Sequence, residues 1–332
     1  MDIRKGSANL ANTLSYILMS GCLEGFSLGK VKKKKKSWKV DKSFYLMVLP
    51  GMILVAIYYY GPLVGWALAF QRYDITKGLF GSQYVGWDNF KYLFTKYPGF
   101  WQVIRNTLSI SIAKMIVNFA FPIIVSLLLN EIKIERYKKS LQTMMYLPHF
   151  LSWVVISGLL IDILSPTDGI INNILKALGV KPVYFLGSPS IFPATMIVSD
   201  AWKVFGFSTI LYMAALTSID PQLYEAAIID GASRFKRCWH ITIPGIVSIM
   251  VLSGILSLGN LLNAGFDQIF NLYNPAVYST GDVLDTFTYR IGFKNFQYDM
   301  ATAVGIVKSC VSLLLVSTSY FMAYKFADYR IF

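Results

Sequence analysis

Three stretches that contain no Asp, Glu, Lys or Arg, residues 43–71, 140–161 and 241–266, restrict this chain more than any other feature. A helix that crosses a lipid bilayer needs about 20 predominantly apolar residues, and each stretch is long enough alone. Three more are only lightly interrupted: 106–130 by Lys114, 191–216 by Asp200 and Lys203, and 301–324 by Lys308. All six exceed the apolar run of an ordinary buried helix and alternate regularly with polar segments. The sequence therefore predicts six spans, near 45–70, 107–129, 141–163, 192–216, 245–265 and 302–324. Composition agrees. Charged residues make up 15% of the 332, against about 25% in soluble domains, too few to cover a soluble surface of that size. A cytosolic enzyme and a disordered or fibrous chain are excluded on the same ground. The expectation is an all-α, polytopic membrane protein. Cys22, Cys238 and Cys310 stand far apart, with neither metal-ligand spacing nor a disulfide framework.

The basic residues orient the spans. Ten lie in segment 1–44, among them the run Lys32–Lys36; four lie in the second connection (Lys133, Arg136, Lys138, Lys139), three in the fourth (Arg234, Lys236, Arg237) and two in the tail (Lys325, Arg330). Eight lie in the alternate connections: Arg72, Lys77, Lys91, Lys96, Lys176, Lys181, Arg290 and Lys294. Loops rich in Lys and Arg stay in the cytoplasm, so both termini are expected inside. The net charge of +13 is then mostly a topology signal, and the lysine run faces anionic lipid headgroups. Nucleic-acid binding would want interleaved aromatics, and only Trp38 stands near the run. The chain divides into a basic N-terminal segment, 1–42, with an interfacial helix over 9–20, and a spanning domain, 43–332.

Pro50, Pro62, Pro122 and Pro148 fall inside helical stretches. Each frees a backbone carbonyl, tolerable at membrane depth only where neighbouring helices or water satisfy it. That points to a packed bundle around a cavity. The outer connections are long. One contains the helical pattern GIINNILKALG, closed by Gly179, and another, 266–301, is rich in Tyr, Phe, Asn and Asp.

The connection between the fourth and fifth spans, residues 218–244, carries the strongest local signal. Asp220 is an N-cap and Pro221 suits the first helical position. Glu225, Ala226 and Ala227 continue a short helix, Gly231 suits its left-handed terminator, and Ser233 caps a second helix running toward Pro244. The loop so built is compact, with two alanines that permit close approach and a basic patch.

This stretch resembles the EAA loop of binding-protein-dependent ABC importer permeases, in which EAA is followed by three residues, Gly, nine residues, Ile, any residue, Leu and Pro. Glu225, Ala226, Ala227, Gly231, Ile241 and Pro244 all fall in place, with Ile243 standing where Leu is usual. Residues Gly265–Tyr278 and Gly281–Thr286 look like the polysaccharide-import permeases of the LplB type, within the maltose-permease-like carbohydrate class. The resemblance implies the type I importer permease fold and a bacterial cytoplasmic membrane location. It implies no cofactor on this chain, ATP and Mg being held by two partner ABC ATPase subunits. The other implied partners are a second, different permease, an extracytoplasmic solute-binding protein and an oligosaccharide substrate. The EAA helix would couple to the ATPases by docking in their groove, and alternating access would follow. No G-x-x-x-x-G-K-[ST] phosphate loop occurs, so the chain is expected to be a transport subunit and not itself an enzyme.

Charges at membrane depth are costly and usually face a cavity or a partner. Asp200 and Lys203 lie three residues apart and are expected to share a helix face, either pairing with each other or meeting substrate. Trp202 beside them could stack on a sugar. Lys308 and Lys114 have no evident partner in the sequence, and Lys114, close to a span end, is expected to snorkel. Asn118, Asn260 and Asn263 are span-located polar groups. Asp200, Trp202, Lys203, Asn260, Asn263 and Lys308 thus form the candidate substrate path. The excess of lysine over carboxylate in the spans points to an acidic oligosaccharide, a uronide such as alginate. Other importer permeases, for amino acids, phosphate or peptides, also carry an EAA loop. An ion-coupled secondary carrier would show matching broken helices in two halves, and a membrane enzyme would cluster His or carboxylates at one face. Neither pattern is present, and His149 and His240 have no metal-ligand spacing.

Overall fold

The computed structural model of the chain describes residues 42–327; the interfacial helix expected over 9–20 and the lysine run lie outside the described residues. The chain divides between Gly61 and Pro62 into two units. In the first, α1 (Lys42–Val55) passes through Pro50 and continues as a π turn, Ala56–Tyr60. Gly61–Phe70, all but its first residue in the second unit, winds as a 3-10 helix. Pro62 has no N–H for the carbonyl one α-turn back, so the ladder changes register around it. The run Tyr45–Phe70 is nevertheless long and apolar enough to span a bilayer.

In the second unit, two short strands, β1 (Gln71–Arg72) and β2 (Gln83–Tyr84), pair antiparallel across the connection 73–82. The short helix α2 (Asp88–Thr95) leads to α3 (Phe100–Asn130), the longest element. The third expected span, 141–163, is not one helix. It is α4 (Glu135–Phe150) and α5 (Trp153–Ile163), which meet at 102°. The sequence held the cause. Pro148 weakens the ladder there, Leu151 and Ser152 take extended backbone, and Ser152 Oγ accepts from Val155 N at 3.3 Å to start α5 afresh. The apolar run continued across the break and hid it.

Helix α6 (Ile170–Ala177) lies in the next connection and ends at Gly179 with paired bonds, Gly179 N to Lys176 O at 3.0 Å and Val180 N to Leu175 O at 2.9 Å. Helix α7 (Phe192–Thr217) fills the fourth expected span. The loop after it holds α8 (Pro221–Ile229) and α9 (Arg234–Arg237), and a π turn, Cys238–Thr242, leads into α10 (Ile243–Gly259). The fifth span was expected to reach 265. It stops at Gly259, and a non-helical corner, 260–265, turns the chain into α11 (Phe266–Leu272). Helix α12 (Leu284–Tyr289) and a π turn, Arg290–Lys294, precede α13 (Tyr298–Ala327). Among the described residues four helical runs are long and apolar enough to cross a membrane, and six are reached if each of two bent pairs counts as one.

The core lies between α3 and α7. Near their first turns Ile110, Phe192 and Met196 pack with Ala264, Ile269 and Leu272. Near their last turns Ile123, Leu129, Tyr212 and Leu216 pack with Ile246 of α10. Residues 266–272, expected in an outer connection, fold back into the bundle, with Gln268 and Ile269 fully buried.

Candidate functional site

Lys114 organises the centre of the bundle. It sits about four turns into α3 and is buried, not snorkelling. Its Nζ donates to the Ala264 carbonyl at 2.8 Å and to Gln268 Oε1, and lies 3.5 Å from Asp200 Oδ1. Asn118, one turn further along α3, donates to Asp200 Oδ2 at 2.8 Å. Gln268 in turn donates to Met196 O and Ser199 Oγ, both at 2.8 Å. One buried cation thereby fastens α3, α7 and the corner before α11. The corner depends on Gly265, whose φ of +91° is left-handed backbone, and a Cβ there would stand 3.1 Å from Lys114 Nζ. Charges removed from water persist only when paired and hydrogen-bonded, and this pair has both.

The expected Asp200–Lys203 pair therefore does not form. Lys203 donates instead to the His149 carbonyl at 2.9 Å and lies 5.5 Å from the centre of the Trp153 ring. It satisfies a carbonyl at the end of α4, where the break to α5 leaves no helical donor. Trp202, two residues from Asp200, points about 200° away around the helix. It lines a separate apolar cleft with Leu160, Phe185 and Val198. Lys308 is likewise partnered, by Asp285 of α12.

What remains is a cavity of about 220 Å³ whose wall includes Lys114, Asn118, Asp200, Asn260 and Asn263. Of the six residues proposed for the substrate path, Asp200, Asn260 and Asn263 come together there; Trp202, Lys203 and Lys308 do not. Ser111 Oγ and Asn118 Oδ1, also in this wall, have no hydrogen-bond partner among the described residues. The cavity offers amide and hydroxyl groups with a single neutralised ion pair. That chemistry suits a polyhydroxylated solute.

The Gly281–Thr286 segment proves to be architectural. Asp282 is buried and pairs with Arg290, while Thr286 Oγ1 donates to Asp282 Oδ1 at 2.9 Å. Burial pushes the Asp282 carboxyl above the usual carboxylate range, with Arg290 and Thr286 pulling the other way. Sequence reasoning missed this pair and the Lys114–Asp200 pair, because the partners lie on different elements and no spacing links them.

At the other end of the bundle, the 218–244 loop has the anatomy expected of it. Asp220 Oδ1 accepts from Gln222 N at 2.9 Å, with Pro221 at the first helical position. Gly231, at φ +74°, closes α8 with two bonds, Ala232 N to Ala227 O at 2.9 Å and Gly231 N to Ile228 O at 3.0 Å. Ser233 accepts from Lys236 N at 3.4 Å. Tyr224 and Thr242 share a hydroxyl hydrogen bond of 3.0 Å that ties α8 to the π turn, and Ile241 is half-buried behind it. Glu225, Ala226 and Pro244 are exposed. So are the large apolar side chains Ile228, Ile229, Phe235 and Trp239, with Ile229 86% accessible.

Residues 123–331 match the family described as the binding-protein-dependent transport system inner membrane component. Over 305 residues the chain is 39% identical to the polygalacturonan/rhamnogalacturonan transport system permease protein YteP of Bacillus subtilis, covering 91% of this chain and 95% of that protein. It is 37% identical to protein LplB of the same organism over 294 residues, 89% of this chain and 92% of that one. Among solved structures it superposes with a TM-score of 0.79 on a chain of a bacterial ABC transporter involved in the import of the acidic polysaccharide alginate. That match has 39% identity and covers 86% of this chain and 96% of that chain. The chain is a multi-pass membrane protein and belongs to the binding-protein-dependent transport system inner membrane components, the permease subunits of ABC importers.

Proposed function

We propose that this permease carries an acidic oligosaccharide or polysaccharide fragment across the membrane as one half of a heterodimeric pathway, driven by two ABC ATPase subunits and supplied by an extracytoplasmic solute-binding protein. The observation that carries the coupling part is the 218–244 loop. It is rigidly capped and terminated, yet it leaves Ile228, Ile229, Phe235 and Trp239 exposed around Glu225. An exposed apolar patch on a stiff loop marks a docking face for another protein. The ATPase groove is the partner that fits, with Glu225, Ala226, Ala227, Gly231, Ile241 and Pro244 forming or supporting the coupling element. Both termini then lie in the cytoplasm with this loop, in keeping with the distribution of Lys and Arg.

The substrate class is supported by the relatives and by the polar cavity. The relatives are described by polygalacturonan, rhamnogalacturonan and alginate, and one solved alginate ABC transporter is in complex with an alginate pentasaccharide-bound periplasmic protein. The lysines of the spans do not add to it, because Lys114 and Lys308 are paired to carboxylates within the chain. ATP closure of the ATPase pair would draw α8 inward and rock α7 and α10, which flank the loop, so that the cavity alternates between the two sides. ATP and Mg are bound by the partner subunits, and this chain holds no cofactor of its own.

Purification through a tag on this chain, with mass spectrometry of its companions, tests the assembly. Recovery of an ABC ATPase and a second permease is the expected result, and stimulation of ATP hydrolysis by a uronide-loaded binding protein identifies the cargo. Recovery of this chain alone and monodisperse overturns the proposal.

A further inference from the structure

Four of the basic residues outside the spans, Arg72, Lys77, Lys91 and Lys96, flank two adjoining cavities at the end of the bundle where α3 begins. One, of about 460 Å³, is lined by Arg72, Tyr73, Asp74, Lys77, Gln83 and Phe296. The other, of about 440 Å³, shares Arg72 and is lined also by Asp88, Lys91 and Lys96 of α2 and its end. Arg72 is exposed and makes no ion pair among the described residues. The acidic group in the first wall is already engaged: Asp74 accepts from the Thr76 hydroxyl at 2.7 Å and from its N–H at 2.9 Å, and stands 3.8 Å from Lys77.

Phe296 has a feature of its own. Its φ is +57°, the only positive value outside glycine among the described residues, and 62% of the residue is exposed. A bulky residue adopts left-handed backbone only at a cost, and such strain gathers at functional sites. Its ring meets Tyr298 at 6.4 Å and stands in the cavity wall.

The ring series leading inward supplies the third observation. Tyr73 meets Tyr298 at 5.9 Å, Tyr298 meets Phe293 at 6.4 Å, and Phe293 meets Tyr289 at 5.3 Å. Tyr289 meets Phe270 at 4.9 Å, and Phe270 stacks on Phe266 at 5.1 Å. Phe266 follows Gly265, which lines the central cavity. Aromatic contacts thus run from Tyr73, in the wall of the outer cavity, to the residue beside Gly265.

We propose that the Arg72–Phe296 cavity is a second saccharide subsite, which takes a uronate residue of the incoming chain, and that the ring series guides the chain from there to the central cavity. The proposal rests on the reading of this protein as an importer of acidic oligosaccharides. The chemistry is complementary. The guanidinium of Arg72 matches a carboxylate in a bidentate fork, while Lys77 and Asp74 offset one another; the Gln83 amide meets hydroxyls, and the Phe296 ring accepts the apolar face of a pyranose.

The assembled transporter in proteoliposomes, with its binding protein, tests this with hexagalacturonate, digalacturonate and carboxyl-reduced hexamer as probes. An exposed ion pair contributes up to about fivefold in affinity. Arg72→Gln is therefore expected to raise the half-saturating hexagalacturonate concentration about fivefold at low salt and less at high salt, leaving the dimer unaffected. Phe296→Gly removes the ring and relieves the backbone, so hexamer uptake falls while thermal stability holds or rises. Unchanged hexamer uptake in both variants, or equal loss for dimer and hexamer, overturns the subsite while the importer reading stands. Wild-type uptake of the carboxyl-reduced hexamer equal to that of the acidic one overturns the role given to Arg72. Absence of any uronide uptake by wild type removes the reading beneath both.

Discussion

At the end of the bundle where α3 begins, the connections answer one another's backbone. Asn106 donates to Ser279 and Asp282 carbonyls at 3.1 and 3.2 Å, Asn274 to Leu186 O at 2.8 Å, and Thr280 to Pro189 O at 2.6 Å. The Asp282–Arg290 pair lies beneath them. At the opposite end, the 218–244 loop is held by local caps, one Tyr224–Thr242 bond and a surface pair, Arg234–Glu131 at 3.8 Å. Its apolar side chains remain in the open. The first end is knit together by long-range polar bonds between its connections; the second is held mostly by local bonds and carries its exposed apolar side chains on one stiff loop. Long-range polar bonds bring stability, and local caps bring a shape that can be moved as a unit.

Substitutions can break this contrast, and the largest effect is expected at its centre. Lys114→Met leaves Asp200 buried without a cation and frees Gln268 and the 260–265 corner. Breaking one side of a buried pair costs about 3–5 kcal/mol, so a large fall in the melting temperature of the purified complex is expected, partly recovered by adding Asp200→Asn. A wild-type melting temperature in the single variant would show that the pair is dispensable.

Arg290→Met comes next, at about 1–3 kcal/mol, and its pH dependence carries the sign. Burial already raises the Asp282 pKa above its unfolded value, and loss of Arg290 raises it further. The native variant must then hold an unpaired buried carboxylate at neutral pH. The deficit is full there and shrinks as pH falls through the raised pKa toward the unfolded one. Thermal unfolding of variant and wild type between neutral and acid pH checks it; a deficit that grows toward acid pH would contradict the assignment.

At the loop end stability and function are expected to separate. Gly231→Asp forces an L-residue into left-handed backbone, about 1–2 kcal/mol of local strain. Copurification of the ATPase is expected to weaken and uptake to vanish while the bundle melts nearly as before. Glu225→Ala is exposed and alters stability within about 0.5 kcal/mol, yet uptake and stimulation of ATP hydrolysis by the loaded binding protein are expected to be lost. Normal uptake in either variant would remove the coupling role from α8.

The loop was legible because everything that shapes it is local: Asp220, Pro221, Gly231 and Ser233 act within a few residues of themselves. The spans were legible because hydropathy is additive along a segment. The charges inside them were misread for the complementary reason. Asp200 and Lys203 share a helical spacing, but Lys114 reaches Asp200 from 86 positions earlier and Asp285 reaches Lys308 from another element. The break at Leu151–Ser152 was hidden because apolar composition is indifferent to helix direction. Pro148 and Ser152 carried that signal, outweighed by the uncharged run around them.

By itself the sequence determined the class of protein, the count of apolar segments, the bias of basic residues and the form of the coupling loop. These follow from burial in lipid, from positive charge at one face and from capping geometry, all of which act over short ranges of chain. Only the tertiary structure decided which buried charges pair, which polar residues share the central cavity and where the fifth span stops. Those outcomes depend on bringing Lys114, Asp200 and Gln268 within a few ångströms across three elements. At membrane depth an unpaired charge costs so much that the fold, and not the spacing along the chain, selects the partner.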